Sequence, residues 1–271
     1  MATSERYSRP LLPEFSHLTK TLSLNFYDLG YAATPAQQDC YAAYIGATYN
    51  SGRLTGILRE VAERIGAKIL NIAHHDYERQ GTSVTLLLAD EMPVPERCVA
   101  PTGGLPEALV CHLDKSHLTV HTYPENRPDH GVNAFRAELD ISTCGRISPL
   151  TVLNDLIDGF APDLAVLDYR VRGFSRAANG AKCFIDHPIR SIQDFLSEEI
   201  RERYRMVDVT VDQERIFYTK MILKEWTLND YRFGLAVQGM SAQERIDVEQ
   251  RIRREMTEIF YAGNPPQPAL F

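Results

Sequence analysis

The sequence lacks the long apolar run that a membrane-spanning helix requires. No stretch approaches about 20 consecutive apolar residues. The segment Met1–Phe15 mixes Arg, Pro, Glu and Ser around no apolar core, so we expect no signal peptide. Positive charge is not in excess either, since 29 Lys and Arg residues stand against 36 Asp and Glu residues, a formal net charge of −7. A basic surface for nucleic acid or anionic lipid is therefore not predicted.

Cysteine is scarce, and its spacing is uninformative for metal binding. The five cysteines are odd in number and show no Cys-x-x-Cys pair; they are Cys40, Cys98, Cys111, Cys144 and Cys183. This pattern predicts reduced thiols, no zinc site and a cytoplasmic location. The chain also has no Gly-rich loop after a strand, so neither a dinucleotide fold nor a P-loop is supported.

What the sequence does contain is a mixture of strand and helix patterns. Strand-like residue patterns occur in several segments, and in Leu18–Asp28 and His117–Tyr123 polar and apolar residues alternate. The other predicted strands are Ala67–His74, Thr82–Ala89, Asn133–Ser142, Leu164–Val171, Ala181–Asp186 and parts of Met206–Lys224. Helices are predicted over 35–49, 51–65, 149–160, 191–203 and 242–261, the first capped by Thr34. We expect an α+β fold of antiparallel sheets with helices on the outer face.

Four regions are predicted along the chain. Residues 1–16 form a flexible lead, 17–190 the core, 191–262 an α/β extension packed on that core, and 263–271 a proline-rich tail. Residues 91–106 carry four prolines and two glycines and are expected to be irregular.

The richest chemistry lies between Asp114 and Glu125. His117, Thr119, His121 and Tyr123 alternate with apolar neighbours, so they share one face of a predicted strand. Two imidazoles, a hydroxyl and a phenol on one face are typical of a strand that borders a cleft.

The dipeptide Lys115–Ser116 before this strand has two interpretations. Asp-Lys-Ser is good β-turn composition, and a plain turn would look the same. Alternatively, the Ser116 hydroxyl attacks the preceding carbonyl, replaces the amide by an ester, and the chain splits when a base removes the Cα proton. Peptide bonds are very stable, so this rearrangement needs strain and a nearby base.

A family resemblance favours the second interpretation. The run Lys-Ser-His-Leu-Thr-Val-His-Thr-Tyr-Pro-Glu at 115–125, with Asp-Ile-Ser-Thr-Cys-Gly at 140–145, resembles the prokaryotic S-adenosylmethionine decarboxylase proenzymes. The resemblance to the long bacterial form extends over most of residues 17–262, including Asp-Tyr-Arg-Val-Arg-Gly at 168–173 and Phe184–His187.

The resemblance implies roles for three residues. Ser116 becomes the pyruvoyl group by cleavage between Lys115 and Ser116, His121 is the proton acceptor in processing, and Cys144 is the proton donor in catalysis. The pyruvoyl carbonyl would form a Schiff base with the substrate amine and accept electrons as carbon dioxide leaves. Without that context, a strand histidine is usually a satisfied hydrogen-bonding group and a lone cysteine a small buried hydrophobe.

Other candidates are less specific. Ser83 matches a serine that assists processing in short relatives, although most sheet serines are passive. His117, Tyr123 and Glu125 are predicted to line the pocket, where aromatic faces or carboxylates would stabilise a sulfonium cation. The resemblance also implies magnesium stimulation, but no site is readable; the adjacent His74 and His75 would point to opposite faces.

The resemblance therefore implies an adenosylmethionine decarboxylase that supplies the aminopropyl donor for spermidine, assembled as a homo-oligomer of cleaved units. Two alternatives remain open from the sequence. The same scaffold could decarboxylate ornithine or arginine, or the chain could be an unprocessed, non-catalytic partner subunit.

Overall fold

An eight-stranded antiparallel sheet forms the centre of the protein. The computed structural model describes residues 15–77, 81–90, 116–125, 130–144, 147–177, 179–233 and 240–264. The strands lie in the order β10-β11-β7-β2-β6-β5-β4-β3; their bounds are β2 Thr19–Tyr31, β3 Ala67–Tyr77, β4 Gly81–Asp90, β5 Ser116–Pro124, β6 Val132–Cys144, β7 Leu164–Arg172, β10 Tyr204–Val211 and β11 Ile216–Leu223. Three two-residue strands, β1 Phe15–Ser16, β8 Ser175–Arg176 and β9 Lys182–Cys183, form a separate small sheet.

Helices cover one face of the large sheet. They are α1 (Pro35–Thr48), α2 (Ser51–Arg64), α3 (Leu153–Phe160) and the short α4 (Glu198–Arg203). The Thr34 side chain caps α1 through the backbone N–H of Gln37, as its sequence predicts. Apolar residues at helical spacing on α2 pack on alternate residues of the strands, such as Leu22, Leu24 and Phe26 of β2. This packing buries one face of every central strand.

The other face of the sheet is covered only at one end by described residues. There the long helix α5 (Ala242–Tyr261) packs Val248, Ile252 and Met256 against Leu29 of β2 and its neighbours. The middle of this face carries half-exposed polar side chains. We call the whole face, which lies opposite the face covered by α1 to α4, the open face. No helix among the described residues is long and apolar enough to cross a membrane.

The predicted α+β class with an antiparallel sheet is confirmed, and α5 adds a helix on the opposite face. Three local predictions are wrong. Residues 191–203 are not one helix, because Ile192–Phe195 form a 3-10 turn, Leu196 is extended, and α4 begins only at Glu198. Ala181–Asp186 is not a full strand, because only Lys182–Cys183 pairs, with β8. Residues 149–160 begin as a 3-10 turn, Pro149–Val152, before α3. Strands β10 and β11 of the predicted extension join the edge of the same sheet, while the domain division at 190 stays a prediction. Residues 91–115 lie outside the described part of the chain.

Candidate active site

Ser116 is the first residue of β5 and is buried. Its side chain lies in the same row as the buried side chains of Leu118 and Val120, so it lies on the helix-covered face. Because His117 pairs with Ser142 of β6, Ser116 lies beside Thr143. The turn predicted at Asp114–Ser116 stays a prediction, because Asp114 and Lys115 lie outside the described residues.

Cys144 ends β6 next to Ser116. Its backbone N–H donates a hydrogen bond of 3.2 Å to the Ser116 hydroxyl oxygen. The residue is half-buried, and its position alternates with Thr143, which places its side chain toward the open face. The structure thus brings together the predicted cleavage site and the predicted proton donor.

His121 lies in the middle of β5 on the open face, as the alternation predicts. Its cross-strand neighbours are Ser83 of β4 and Glu138 of β6. The Ser83 hydroxyl lies 3.3 Å from the phenol oxygen of Tyr77, and Tyr77 packs edge-on against His75, with ring centroids 4.5 Å apart. His121 and Ser83, both predicted to take part in processing, are therefore adjacent.

A length of strand separates His121 from Ser116. Five residues of extended chain span about 16 Å, and the two side chains lie on opposite faces of the sheet. Within one chain, the geometry of β5 therefore keeps the His121 imidazole away from Ser116.

The remaining pocket candidates already have structural partners. Tyr123 is 45% exposed, and the Arg136 guanidinium lies 4.4 Å from its ring centroid. One Glu125 carboxylate oxygen accepts a hydrogen bond of 2.9 Å from the backbone N–H of Ala134. His117 is half-exposed on the open face, two residues from Thr119.

Charged side chains on the open face are mostly paired. Asp140 accepts a hydrogen bond of 2.5 Å from Ser23, and Arg136 lies 3.2 Å from Glu138. A hydrogen bond with Asp168, together with its negative charge, raises the pKa of the Arg170 guanidinium. Within the described ranges, no group of three or more His, Cys, Asp or Glu side chains could hold a metal ion.

Sequence reasoning missed a buried charged group near Cys144. Lys20 is only 1% exposed, and its ammonium lies 2.5 Å from a carboxylate oxygen of Asp186. The other Asp186 oxygen lies 2.7 Å from Nδ1 of His187. The sequence did contain a signal for a buried lysine, because Lys20 occupies the apolar row of β2 between Leu18 and Leu22.

Comparison with known proteins gives concordant matches. A family model described as S-adenosylmethionine decarboxylase matches residues 38–173. The protein of Desulfitobacterium hafniense (strain DSM 10664 / DCB-2) named S-adenosylmethionine decarboxylase proenzyme is 53% identical over 262 residues, covering 93% of this chain and 95% of that protein. The protein of the same name from Pseudomonas aeruginosa (strain LESB58) is 50% identical, covering 96% of this chain and 99% of that protein.

A solved structure of the adenosylmethionine decarboxylase from Aquifex aeolicus vf5 is a more distant match. It has a TM-score of 0.33 and 15% sequence identity, and it covers 58% of this chain and 91% of that chain.

Proposed function

The chain belongs to the S-adenosylmethionine decarboxylase family, and we propose that it cleaves itself between Lys115 and Ser116 and then decarboxylates S-adenosylmethionine. Cleavage gives a β chain of residues 1–115 and an α chain of residues 116–271 that begins with a pyruvoyl group. The product is the aminopropyl donor for spermidine synthesis.

The contact between Ser116 and Cys144 carries this proposal. The Cys144 N–H holds the Ser116 hydroxyl oxygen at 3.2 Å, which restricts the rotation of the hydroxyl about the Cα–Cβ bond and keeps one lone pair engaged. Burial of Ser116 to 4% exposure excludes most bulk water from that oxygen. The residue types fit the group, since a serine at a strand start supplies its atoms and the main chain of a cysteine lies beside it.

When formed, the pyruvoyl group supplies the electron sink that decarboxylation of an α-amino acid requires. The role of Cys144 is to deliver a proton to the substrate carbon that loses carbon dioxide. A thiol suits this step because it carries a proton that it can transfer to carbon.

His121 acts in processing from a second copy of the chain. Within one chain it lies about 16 Å along β5 from Ser116 and on the other face of the sheet. A catalytic base has to come within hydrogen-bond reach of the proton it removes. The half-exposed polar surface around His121, Ser83 and Glu138 is available for pairing with another copy. The homo-oligomer is thereby part of the processing site.

Charge on the open face suits a cationic substrate. Glu138 and Asp140 lie there on β6 and Asp168 on β7, the two strands that flank β2, and a sulfonium is stabilised by carboxylates at short range. Magnesium stimulation stays an implication of the resemblance, with no site among the described residues.

Denaturing electrophoresis with intact-mass measurement tests the cleavage. We expect fragments 1–115 and 116–271, the second without an amino terminus that Edman chemistry reads. Ser116→Ala should remain one chain without activity, and Ser148→Ala, which changes a half-buried serine outside the proposed site, should cleave normally. An active enzyme that stays a single 30.7 kDa chain contradicts the proposal.

A separate assay identifies the substrate. Carbon dioxide release should be measured from S-adenosylmethionine, ornithine and arginine with the cleaved protein. We expect release from S-adenosylmethionine. Release from ornithine or arginine alone would reassign the substrate, and a chain that neither cleaves nor turns over would be a non-catalytic subunit.

A further inference from the structure

A buried lysine lies in the same cross-sheet row as the proposed cleavage site. Lys20 of β2 pairs with Thr143 of β6, and Ser116 of β5 lies beside Thr143 on the far side. The three side chains share the helix-covered face and are all buried. Two strand spacings separate Lys20 from Ser116, or about 10 Å between Cα atoms.

The Lys20 ammonium holds the backbone of Ile147, three residues after the last residue of β6, Cys144. Its Nζ donates a hydrogen bond of 3.2 Å to the carbonyl oxygen of Ile147. The Thr143 hydroxyl donates to the same carbonyl oxygen over 3.1 Å. Two donors, one on each neighbouring strand, therefore fix a carbonyl three residues beyond Cys144, on the side of the sheet opposite the open face.

A row of polar groups, from the partly exposed Asp186 through His187 to the buried Tyr169, holds the ammonium in place. Asp186 lies 2.5 Å from Lys20 Nζ and 2.7 Å from His187 Nδ1, and His187 Nε2 lies 3.2 Å from the hydroxyl of Tyr169. Burial by itself raises the pKa of Asp186, but the hydrogen bonds from Lys20 and His187 outweigh it, so the pKa is lowered. Asp186 is therefore a carboxylate at neutral pH, which balances the buried ammonium.

We propose that Lys20 is a positioning residue for Cys144: by holding the Ile147 carbonyl it fixes the thiol where the proton must be delivered. This rests on the proposed function, because it assigns Cys144 to protonation. Burying an ammonium is costly even when it is paired. A purely stabilising role would be served as well by an apolar side chain in this row, as at Leu22 and Leu24, whereas holding a carbonyl requires a donor.

Misplaced protonation leaves a chemical trace on the chain. If the proton reaches the former pyruvoyl carbon instead of the substrate carbon, the substrate nitrogen stays on the chain as an amino-terminal alanine. The substrate is then released as an aldehyde, with water supplying its oxygen. The alanine-to-pyruvoyl ratio of the α chain after a fixed number of turnovers thus reports on the position of Cys144 independently of the rate.

Three variants separate positioning from stability: Lys20→Met, Asp186→Asn and the double variant. Lys20→Met leaves Asp186 without its partner ammonium, and of the two donors to the Ile147 carbonyl it keeps the Thr143 hydroxyl and removes the ammonium donor. Asp186→Asn keeps that donor. The double variant removes both charges, so it should recover stability relative to the single variants but still lacks the donor. Lys224→Met is the control, because Lys224 also donates to backbone carbonyls, those of Arg201 and Glu202, at a distant edge of the fold.

We expect Lys20→Met and the double variant to be cleaved, to turn over about 10- to 100-fold more slowly, and to accumulate alanine-terminated α chain. Asp186→Asn should slow turnover less and accumulate less alanine-terminated α chain, and Lys224→Met should match the wild type in both. Alkylation of Cys144 by iodoacetamide, followed by peptide mass and normalised to the exposed Cys40, should rise several-fold in the same two variants. That reaction needs no pyruvoyl group, so it stands even if the wild type proves not to cleave.

Two outcomes would overturn the positioning role. In the first, the double variant regains both stability and wild-type protonation, which would make the pair merely a stabilising ion pair. In the second, Lys20→Met leaves the alkylation of Cys144 and the alanine ratio unchanged. If Lys20→Met fails to fold, the double variant alone decides between these results, since it carries no unpaired charge.

Discussion

The Ser116 hydroxyl receives its hydrogen bond from the main chain of Cys144 and not from the thiol. The contact that orients the proposed nucleophile is therefore independent of the side chain at position 144. Processing depends on the backbone N–H of Cys144 and turnover depends on its thiol. Substitution of the side chain can therefore separate the two steps.

Cys144→Ala should cleave at Lys115–Ser116 and then fail in turnover. Alanine keeps the backbone N–H that donates to Ser116, so the hydroxyl stays oriented, but it offers no proton to the substrate carbon. We expect a loss of about 100-fold or more in the rate of correct product formation, measured as decarboxylated product against carbon dioxide released. Cys40→Ala, which changes an exposed cysteine on α1, is the control. Wild-type product yield from Cys144→Ala would remove the thiol from the mechanism.

Mixed oligomers test whether His121 acts on a second copy. His121→Ala should remain uncleaved when expressed alone, and so should Ser116→Ala. When the two are co-expressed with different tags, the His121→Ala chain keeps Ser116 and meets the His121 of its partner, so that chain should be cleaved. Tag-specific blots after denaturing electrophoresis give the result. Failure of the His121→Ala chain to cleave in a demonstrated mixed oligomer would place the base in the same chain as the serine that it serves.

Gly81 at the start of β4 should not tolerate a side chain. Its φ is +113°, and a Cβ there would lie 2.0 Å from the carbonyl oxygen of Thr122. Gly81→Ala should therefore displace β4 from β5 and destabilise the fold by roughly 1–3 kcal/mol, as measured by urea denaturation. Gly46→Ala is the matched control, because Gly46 lies in α1 and a Cβ added there would meet no atom within 4 Å. It should be neutral or stabilising by about 0.5–1 kcal/mol. Equal stabilities for the two variants would contradict this account.

Local patterns were sufficient to predict most of the sheet and helices. The alternation in 18–28 and 117–123 gave the face of β2 and β5 correctly, because one face of each strand is buried by helices. The capping pair Thr34 and Pro35 gave the start of α1. Residues 181–186 were also predicted as a strand, but only Lys182–Cys183 finds a partner strand there, and pairing is a tertiary property that a short pattern does not encode.

The sequence predicted candidate site residues, whose roles stay predictions, but it did not predict their arrangement. The motif singled out Ser116, His121 and Cys144, and the register of β5 with β6 brings the first and last together. That His121 lies out of reach of Ser116 followed from strand geometry alone, since five extended residues span about 16 Å. The partnership of Lys20 with Asp186 joins positions 166 residues apart, and no local pattern could have paired them.

A buried carboxylate, that of Asp163, makes the free energy of unfolding depend on pH. Asp163 accepts hydrogen bonds of 2.7 Å from the backbone N–H of Leu29 and from the Tyr231 hydroxyl. Burial, reinforced by the negative charge of nearby Asp28, raises its pKa to about 7. Between about pH 4 and pH 7 the folded chain therefore holds a proton that the unfolded chain has lost. The contribution of Asp163 to the free energy of unfolding is present at low pH and is lost as the pH rises through 7.

Asp163→Asn should flatten this dependence, because an amide does not ionise. The variant should be less stable than the wild type at pH 5, where its amide nitrogen cannot accept both hydrogen bonds, and should lose less stability than the wild type between pH 5 and pH 8. The difference between the two losses is on the order of 3 kcal/mol, measured by urea denaturation at both values. Asp158→Asn, at an exposed carboxylate paired with Arg203 at 3.0 Å, should leave the dependence unchanged. Parallel curves for Asp163→Asn and the wild type would show that Asp163 is already ionised in the folded chain at pH 5.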